Sequence, residues 1–541
     1  VVDQADTGVR SPSLARASAA MAVATAISRI SGLLAKVLLV VVLGLGMVND
    51  SYTVANTLPT VVNELLLGGV LTSIAVPLLV RAQREGPEHG QSYAQWMITM
   101  GAVLLGVATA VAVAGAGLLT ALYLGPDTRA NAELTTAFAY LLLPGIVCYG
   151  MSALLQAILN VRGLFGTPAW APVFNNLVVI TTVIVYAVMP GEISTDPVRI
   201  GEPKLLVLGL GTLAGITTQL LVMVVSLRRS GFRYRWRWGW DRRLSEFGGL
   251  AGWVVLYTLI SQAGMVVITR VTAQGTPGSV ATFNYAWLLS QVPYGVLGVS
   301  LLTALMPRIS QAAASGETRA FVDDVAWGTR MTAVLLMPVS ALLVVAGGPL
   351  AVAFFSLGAS DVAAAGRLGW ALAAAAAGVV PFGITMLQLR AFYAMHDART
   401  PTWINVIMVA VRSVLCYLVL ATVDPQDVVL GVTAAMSASF LLGAVVGQIW
   451  LRARIGSLRT GATVVGCLRA LLACTVGALC SLAVLAGVRA LTGPLNPMVD
   501  AWLALVLHGI VVLAVSLGVL ALLRAPELRP ALQKLGRLAR R

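Results

Sequence analysis

Charge is what this 541-residue chain has least of: Asp, Glu, Lys and Arg make up 11% of it, against roughly 25% in soluble domains. Histidine is nearly missing, with only His89, His396 and His508, far apart. The five cysteines (Cys148, Cys416, Cys467, Cys474, Cys480) fall in apolar stretches, with neither metal-ligand nor disulfide spacing. There is no HExxH, Walker loop or nucleophile elbow. No machinery for covalent chemistry is therefore visible, and neither an enzyme nor a metal or cofactor site is expected. The short alternating segments of a β-barrel are also lacking.

What the chain does have is apolar: 58% of its residues are hydrophobic. Stretches of about 20 such residues recur from end to end, each able to cross a hydrocarbon core of about 30 Å. The predicted fold class is an all-α polytopic membrane protein with about fourteen transmembrane helices. These fall near 18–45, 51–80, 93–122, 134–159, 170–189, 205–227, 245–272, 280–306, 326–347, 365–392, 401–422, 427–450, 465–488 and 499–523. The first is too long for a signal peptide and lacks a small-residue cleavage site. The chain opens on Val rather than Met, so a few native residues are expected to precede it.

The few cations are placed unevenly. With a cytoplasmic N-terminus, outer loops hold only Arg129, Arg199, Lys204, Arg367 and Arg489, and spans hold Arg29, Lys36, Arg270 and Arg412; the rest of the 36 are cytoplasmic. That bias predicts a multi-pass protein of the cytoplasmic (inner) membrane with both termini cytoplasmic. The net charge of +14 is then mainly a topology signal. Its densest piece, "RRSGFRYRWRWGWDRR" at 228–243, interleaves Arg with Trp. It reads as an interfacial belt on anionic membrane lipids rather than a nucleic-acid patch.

Two landmarks repeat. "SYTVANTLP" ends at Pro59 and "NYAWLLSQVP" at Pro293; "QAILNVRGLFGTP" ends at Pro168 and "QLRAFYAMHDARTP" at Pro401. The offsets, 234 and 233, each span six helices, which predicts a parallel duplication. The expected layout is a cytoplasmic tail (1–17), a first six-helix bundle (18–228), a basic linker (229–244), a second bundle (245–455), two added helices (465–523) and a basic tail (524–541). Parallel repeats hold substrate near mid-membrane and alternate access by rocking, so transport is the leading expectation.

"SRISGLLAK" places two cations inside the first span. Arg29 lies about 11 residues in, roughly 16 Å deep, where an unpaired Arg costs at least about 2.5–3.5 kcal/mol. Lys36 returns to nearly the same face seven residues on, although it is shallow enough to snorkel. A watered cavity holding an anion would accommodate both. Gly32 between them offers a place to bend or to admit a neighbour. Asp50 is expected to cap the second span, which Pro59 interrupts. Glu64 is either a buried partner for Arg29 or Arg270 or a gating carboxylate, and Asn63 could donate to a substrate oxygen. In the second bundle, Arg270 either anchors its helix end or reaches the cavity. Asn284 and Gln291 share a face just before Pro293, and Arg412 is deep without an evident partner.

Five segments, "SRISGLLAK", "NDSYTVANTLPTVVNELLLGGVLTSIAVPLL", "ILNVRGLFGTPAWAPVFNNL", "PYGVLGVSLLTALMPRIS" and "RAFYAMHDARTPTWINV", together resemble the MurJ (MviN) lipid II flippases of the multidrug/oligosaccharidyl-lipid/polysaccharide exporter superfamily. The resemblance runs from about residue 20 to 455, in order and at the family's spacing. It implies export of lipid II, a peptidoglycan precursor on an undecaprenyl or decaprenyl carrier, into a cationic cavity. It also implies a coupling ion or the membrane potential as driver, and cell-wall synthesis proteins as partners. Arg29 matches the family's first-span arginine and Asp50 the acidic residue opening its second span. Departures are Ala35-Lys36 where many relatives carry Arg-Asp, Asn63 and Gly68 where others carry Arg and Glu, and Leu288 and Gln291 where others carry Arg and Glu. Lys36, Arg270 and Arg412 are the candidates to replace those charges. The Ala- and Arg-rich, Lys-poor composition suggests an actinobacterial source, in which a pseudokinase domain can follow such a region, here from the tail 524–541. The alternatives are a cation-coupled multidrug or other polysaccharide exporter of the superfamily, and a non-transporting scaffold for cell-wall synthesis.

Overall fold

A computed structural model describes residues 12–68, 76–239, 248–456, 459–523 and 527. The start of the N-terminal tail, part of the second span, the end of the Arg–Trp linker and nearly all of the C-terminal tail lie outside the described residues. Within them the chain is helical and contains no strand.

The first helices are α1 (Pro12–Leu43), α2 (Met47–Asn63), α3 (Val76–Glu85), α4 (Pro87–Ala114), α5 (Ala116–Leu124), α6 (Ala132–Leu142), α7 (Gly145–Val161), α8 (Gly166–Val188) and α9 (Pro203–Arg229). They are followed by α10 (Gly248–Thr272), α11 (Ser279–Pro293), α12 (Val299–Ala314), α13 (Thr318–Phe355), α14 (Val362–Ala377), α15 (Val379–Ala394), α16 (Arg399–Thr422), α17 (Val428–Ile455), α18 (Thr460–Thr492) and α19 (Pro497–Leu522). Among the described residues eleven helical stretches, one of them α11 and α12 taken together, are long and apolar enough to cross a membrane, and up to thirteen spans result if the bent pairs α6–α7 and α14–α15 each make one. The remaining expected span, 51–80, passes through 69–75, outside the described residues.

The chain forms two compact units. The first holds Val1–Val42, Val54–Thr120 and Ala132–Ala251; the second holds Leu43–Thr53, Ala121–Asn131 and Gly252–Arg541. Small residues close the helix contacts of the first unit, as expected where lipid leaves only packing to drive association. Gly101 of α4 faces Leu154 of α7, Gly211 of α9 faces Thr182 of α8, and Gly215 faces Asn175. A methyl group at any of these would collide with its neighbour.

The long α13 organises the second unit. α14 lies against it so closely that a Cβ on Gly347 would stand 2.8 Å from the Gly369 carbonyl. The α18–α19 hairpin packs along its other side, with Val334, Ala470, Ala473 and Leu520 in one buried cluster. Two ion pairs fasten the hairpin's ends to α13: Arg330 Nε to Glu527 at 2.8 Å, and Arg459 Nε to Asp323 at 2.8 Å. His508, buried inside the hairpin, is hydrogen-bonded to Ser481. All five cysteines are unpaired.

Candidate functional site

In the first unit, α1 carries Arg29 and Lys36 without interruption. Arg29 is exposed and Lys36 half-buried, and neither forms an ion pair or hydrogen bond among the described residues. Gly32 between them does not break the helix. Instead it leaves room for Asn176 of α8, whose Nδ2 donates to the Ser28 carbonyl (2.9 Å) and to Ser31 Oγ (3.0 Å). The amide nitrogen stands 3.3 Å from where a Cβ on Gly32 would be. The cations thus sit on a helix pinned by a side chain that sequence reading passed over, although it lies in the quoted segment "PVFNNL".

Pro59 of α2 is buried, and the helix passes at Glu64 into a π-helical turn, Glu64–Gly68. Proline removes one backbone donor from the ladder and crowds the carbonyl four residues earlier, and π turns of this kind gather at functional sites. Glu64 opens the turn and is exposed. Asn63 before it is half-buried; its Oδ1 is sealed without a hydrogen-bond partner, against Gly150 of α7. An amide oxygen in that position is costly to leave unsatisfied.

In the second unit, the motif "NDSY" is buried side by side: Asn49, Asp50, Ser51 and Tyr52 are each at most 2% exposed. Asp50 does not cap its own helix, contrary to the sequence expectation. α2 begins at Met47, so Asp50 lies inside its first turn, and its carboxylate caps α11 instead. Oδ2 accepts from the Gly278 N–H at 2.7 Å and Oδ1 from the Ala281 N–H at 2.8 Å. The Tyr285 hydroxyl donates to Asn49 Oδ1 at 3.2 Å, Asn49 Nδ2 donates to the Gly44 carbonyl, and Ser51 donates to the Asn131 carbonyl. Asp50 is therefore a structural tie of the second unit, its two carboxyl oxygens taking the N–H groups at the start of α11.

The other second-unit candidates divide. Arg270 anchors a helix end: its Nε donates to the Leu122 carbonyl at 2.6 Å. Asn284 returns its amide to Val280 of its own helix at 3.0 Å. Gln291 is half-buried with Nε2 sealed and unpaired. Pro293 is buried and followed by a π-helical turn, Tyr294–Gly298. Arg412 is 8% exposed, with Nε unpaired and its guanidinium lying over Gly264 of α10.

Three features recur in both halves at about the repeat offset. Gly44 and Gly278, 234 residues apart, precede α2 and α11 with φ of +72° and +92°, a left-handed region that an added Cβ disfavours. Each of those helices carries a buried proline and a π turn. Third, Asn405 of α16 donates to the Tyr257 carbonyl (2.9 Å) and to Ser261 Oγ (2.8 Å) of α10, as Asn176 of α8 does to α1. Measured from Pro168 and Pro401, the two clamps sit one helical turn apart along their helices.

The Arg–Trp segment, described to Gly239, is a strap over α4. Gln95 Nε2 donates to the Arg233 carbonyl (2.7 Å), Arg237 Nε to Gln95 Oε1 (3.0 Å), and Trp96 Nε1 to the Gly239 carbonyl (2.6 Å). Trp236 and Trp238 stay about two-thirds exposed, as an interfacial belt requires. Among the described residues no three His, Cys, Asp or Glu side chains gather as metal ligands.

Comparison with known proteins follows the same lines. A sequence model of the family described as "Lipid II flippase MurJ" matches residues 39–496. The "Probable lipid II flippase MurJ" of Rhizobium meliloti is 26% identical over 409 residues, 74% of each chain. The "Lipid II flippase MurJ" of Burkholderia cenocepacia is 25% identical over 436 residues, covering 77% of this chain and 80% of the relative. Among solved structures, "Lipid II flippase MurJ, inward closed conformation" superposes with a TM-score of 0.71 at 19% identity, over 93% of this chain and 99% of that one. An inward-facing multidrug resistance MATE transporter of the MOP superfamily gives 0.65 at 16% identity, over 80% and 96%. With the family match covering most of the chain, and the duplicated helical fold in agreement, this protein belongs to the MurJ lipid II flippase family.

Proposed function

We propose that this chain moves lipid II, the polyprenyl-linked peptidoglycan precursor, from the inner to the outer leaflet of the cytoplasmic membrane by alternating access. The observation carrying the reading is the family match over residues 39–496 of a chain with two cations, Arg29 and Lys36, in its first span. A pyrophosphate leaving water needs charge-assisted donors, and these two side chains, uncommitted to protein partners among the described residues, can supply them. Lys36 takes the part of the arginine that many relatives carry nearby. Arg270 is held at a helix end and Asp50 at the α11 N-terminus, so both are assigned to the frame rather than to substrate. Asn63, Gln291 and Arg412 each hold a sealed polar atom without a partner and are assigned to states in which those atoms find one. The membrane potential is a sufficient bias, at about 2.3 kcal/mol per charge per 100 mV.

The test is replacement of the resident flippase in a depletion strain, with lipid II at the outer leaflet measured by an externally added degrading enzyme. Wild type restores exposure, and Arg29→Ala lowers it about tenfold, as loss of one charge-assisted contact predicts. Growth without any lipid II exposure would overturn the reading in favour of a scaffold. Full exposure by Arg29→Ala would remove Arg29 from the site.

A further inference from the structure

Between α8 and α9 in the first unit runs an open groove of about 550 Å³. Its walls are Trp170 and Phe174 of α8 and Leu221 and Val225 of α9, all more than a third exposed. Its polar end is different in kind. There Thr167 Oγ1 and Ser226 Oγ are hydrogen-bonded at 2.8 Å, and Arg229 stands one turn beyond Ser226 at the end of α9. No carboxylate lines the groove.

The nearby cations are used unequally. Arg162 donates to Ser230 Oγ at 3.0 Å and covers the Phe232 ring at 5.1 Å, and Arg237 is tied to Gln95. Arg229 is exposed and forms no ion pair or hydrogen bond among the described residues. It therefore faces the groove's mouth uncommitted, immediately before the strap whose exposed tryptophans mark an interface.

We propose that this groove is a binding site for one anionic phospholipid, with its phosphate on Arg229 and the Thr167–Ser226 hydroxyls and an acyl chain along Trp170, Phe174, Leu221 and Val225. Length selects the occupant. From Thr218, the far lining residue on α9, to Arg229 is eleven residues, about 16 Å of helix. That equals about one leaflet of a 30 Å hydrocarbon core. A polyprenyl carrier that passes between leaflets would not be matched by a groove ending at mid-membrane, whereas a resident phospholipid is. Charge selects the headgroup: a free guanidinium with no acidic neighbour in the groove favours a net negative lipid over a zwitterion, which brings its own cation.

The site does not depend on the transport reading, and its test uses no transport. The full chain, purified in a zwitterionic detergent, is titrated with phosphatidylglycerol and separately with phosphatidylcholine, and retained lipid is counted by native mass spectrometry. Phosphatidylglycerol is expected to bind about tenfold more tightly than phosphatidylcholine. Arg229→Gln should abolish that preference, and Val225→Trp, which fills the groove, should remove the high-affinity lipid while Arg229 remains. Equal retention of the two lipids by wild type would mean annular lipid only and overturn the proposal. Unchanged phosphatidylglycerol binding in both variants would move the preference to the strap and overturn it equally. So would displacement of phosphatidylglycerol from wild type by equimolar undecaprenyl pyrophosphate.

Discussion

A single carboxylate decides how one helix of the second unit begins. α11 starts after Gly278, which supplies no side-chain cap of its own, and the buried N–H groups of Gly278 and Ala281 at its start are met by Asp50 from another helix. Asp50→Ala should destabilise the protein by about 1–2 kcal/mol, the usual cost of a lost N-cap. Asp50→Asn, which keeps one acceptor oxygen of the two, should fall between wild type and Asp50→Ala in thermal unfolding of the detergent-solubilised chain. Gly278→Ala should be worse than either. Its φ of +92° disfavours a Cβ, and that Cβ would collide with the Leu45 carbonyl, a backbone atom that cannot turn aside. A wild-type melting temperature for Asp50→Ala would show that water satisfies these donors equally well. The residue type and its position at a helix start are visible in sequence; its partner, more than two hundred positions away, is not. A local cap is the default reading because sequence shows only neighbours along the chain.

At the scale of elements, the two asparagine clamps show what an apolar span hides. Asn176 and Asn405 each cross from one helix to a carbonyl and a serine of the next. Such bonds within membranes contribute about 0.6 kcal/mol on average. Asn405→Leu should therefore leave the fold intact but speed hydrogen exchange around Tyr257–Ser261 in α10, without touching α1; Asn176→Leu should do the reverse. Equal effects on both helices would mean the clamps are not local. The loop between α15 and α16 carries a titrating tie as well. Burial pushes the Asp397 carboxyl up, but the Thr400 N–H (3.0 Å), the Thr400 hydroxyl (2.7 Å) and Arg454 outweigh it and hold the carboxyl below its ordinary value of 3.8. A depressed carboxylate adds stability above its unfolded value and loses it as pH falls through the folded one. The melting temperature of Asp397→Asn should thus lie below wild type at pH 7, with the gap closing as pH drops below about 4. Span existence was legible from hydropathy, yet ends were not. The ninth expected span, 326–347, lies inside the longer helix α13 (Thr318–Phe355), whose first turns carry Asp323 and Asp324, paired with Arg459 and Arg308.

For the whole molecule, the sparse charges carry two kinds of information, and only one of them is readable along the chain. Where Lys and Arg fall between spans reports orientation, since every loop is on one side or the other. Which charges meet depends on helix contacts: Arg270 is tied to the Leu122 carbonyl and Asp50 to the start of α11, partners that the neighbouring residues along the chain do not show. The orientation reading makes a direct prediction. In a chain whose five cysteines are replaced by alanine, Thr195→Cys, in the loop after α8, should react with a membrane-impermeant maleimide in intact cells. Ser315→Cys, between α12 and α13, should react only after permeabilisation. Both positions are exposed, so access is limited by the membrane and not by packing. The duplication sharpens the test, because six spans between repeats leave corresponding loops of the two halves on one side. Arg84→Cys, near the end of α3 and close to one repeat offset before Ser315, should behave like Ser315→Cys, and so should Ser230→Cys at the start of the strap. Reaction of Ser315→Cys and Ser230→Cys from outside, with Thr195→Cys protected, would invert the chain and place the Arg229 groove in the outer leaflet. A split between Ser315 and Arg84 would break the parallel repeat itself, and with it the ground for rocking about a mid-membrane site.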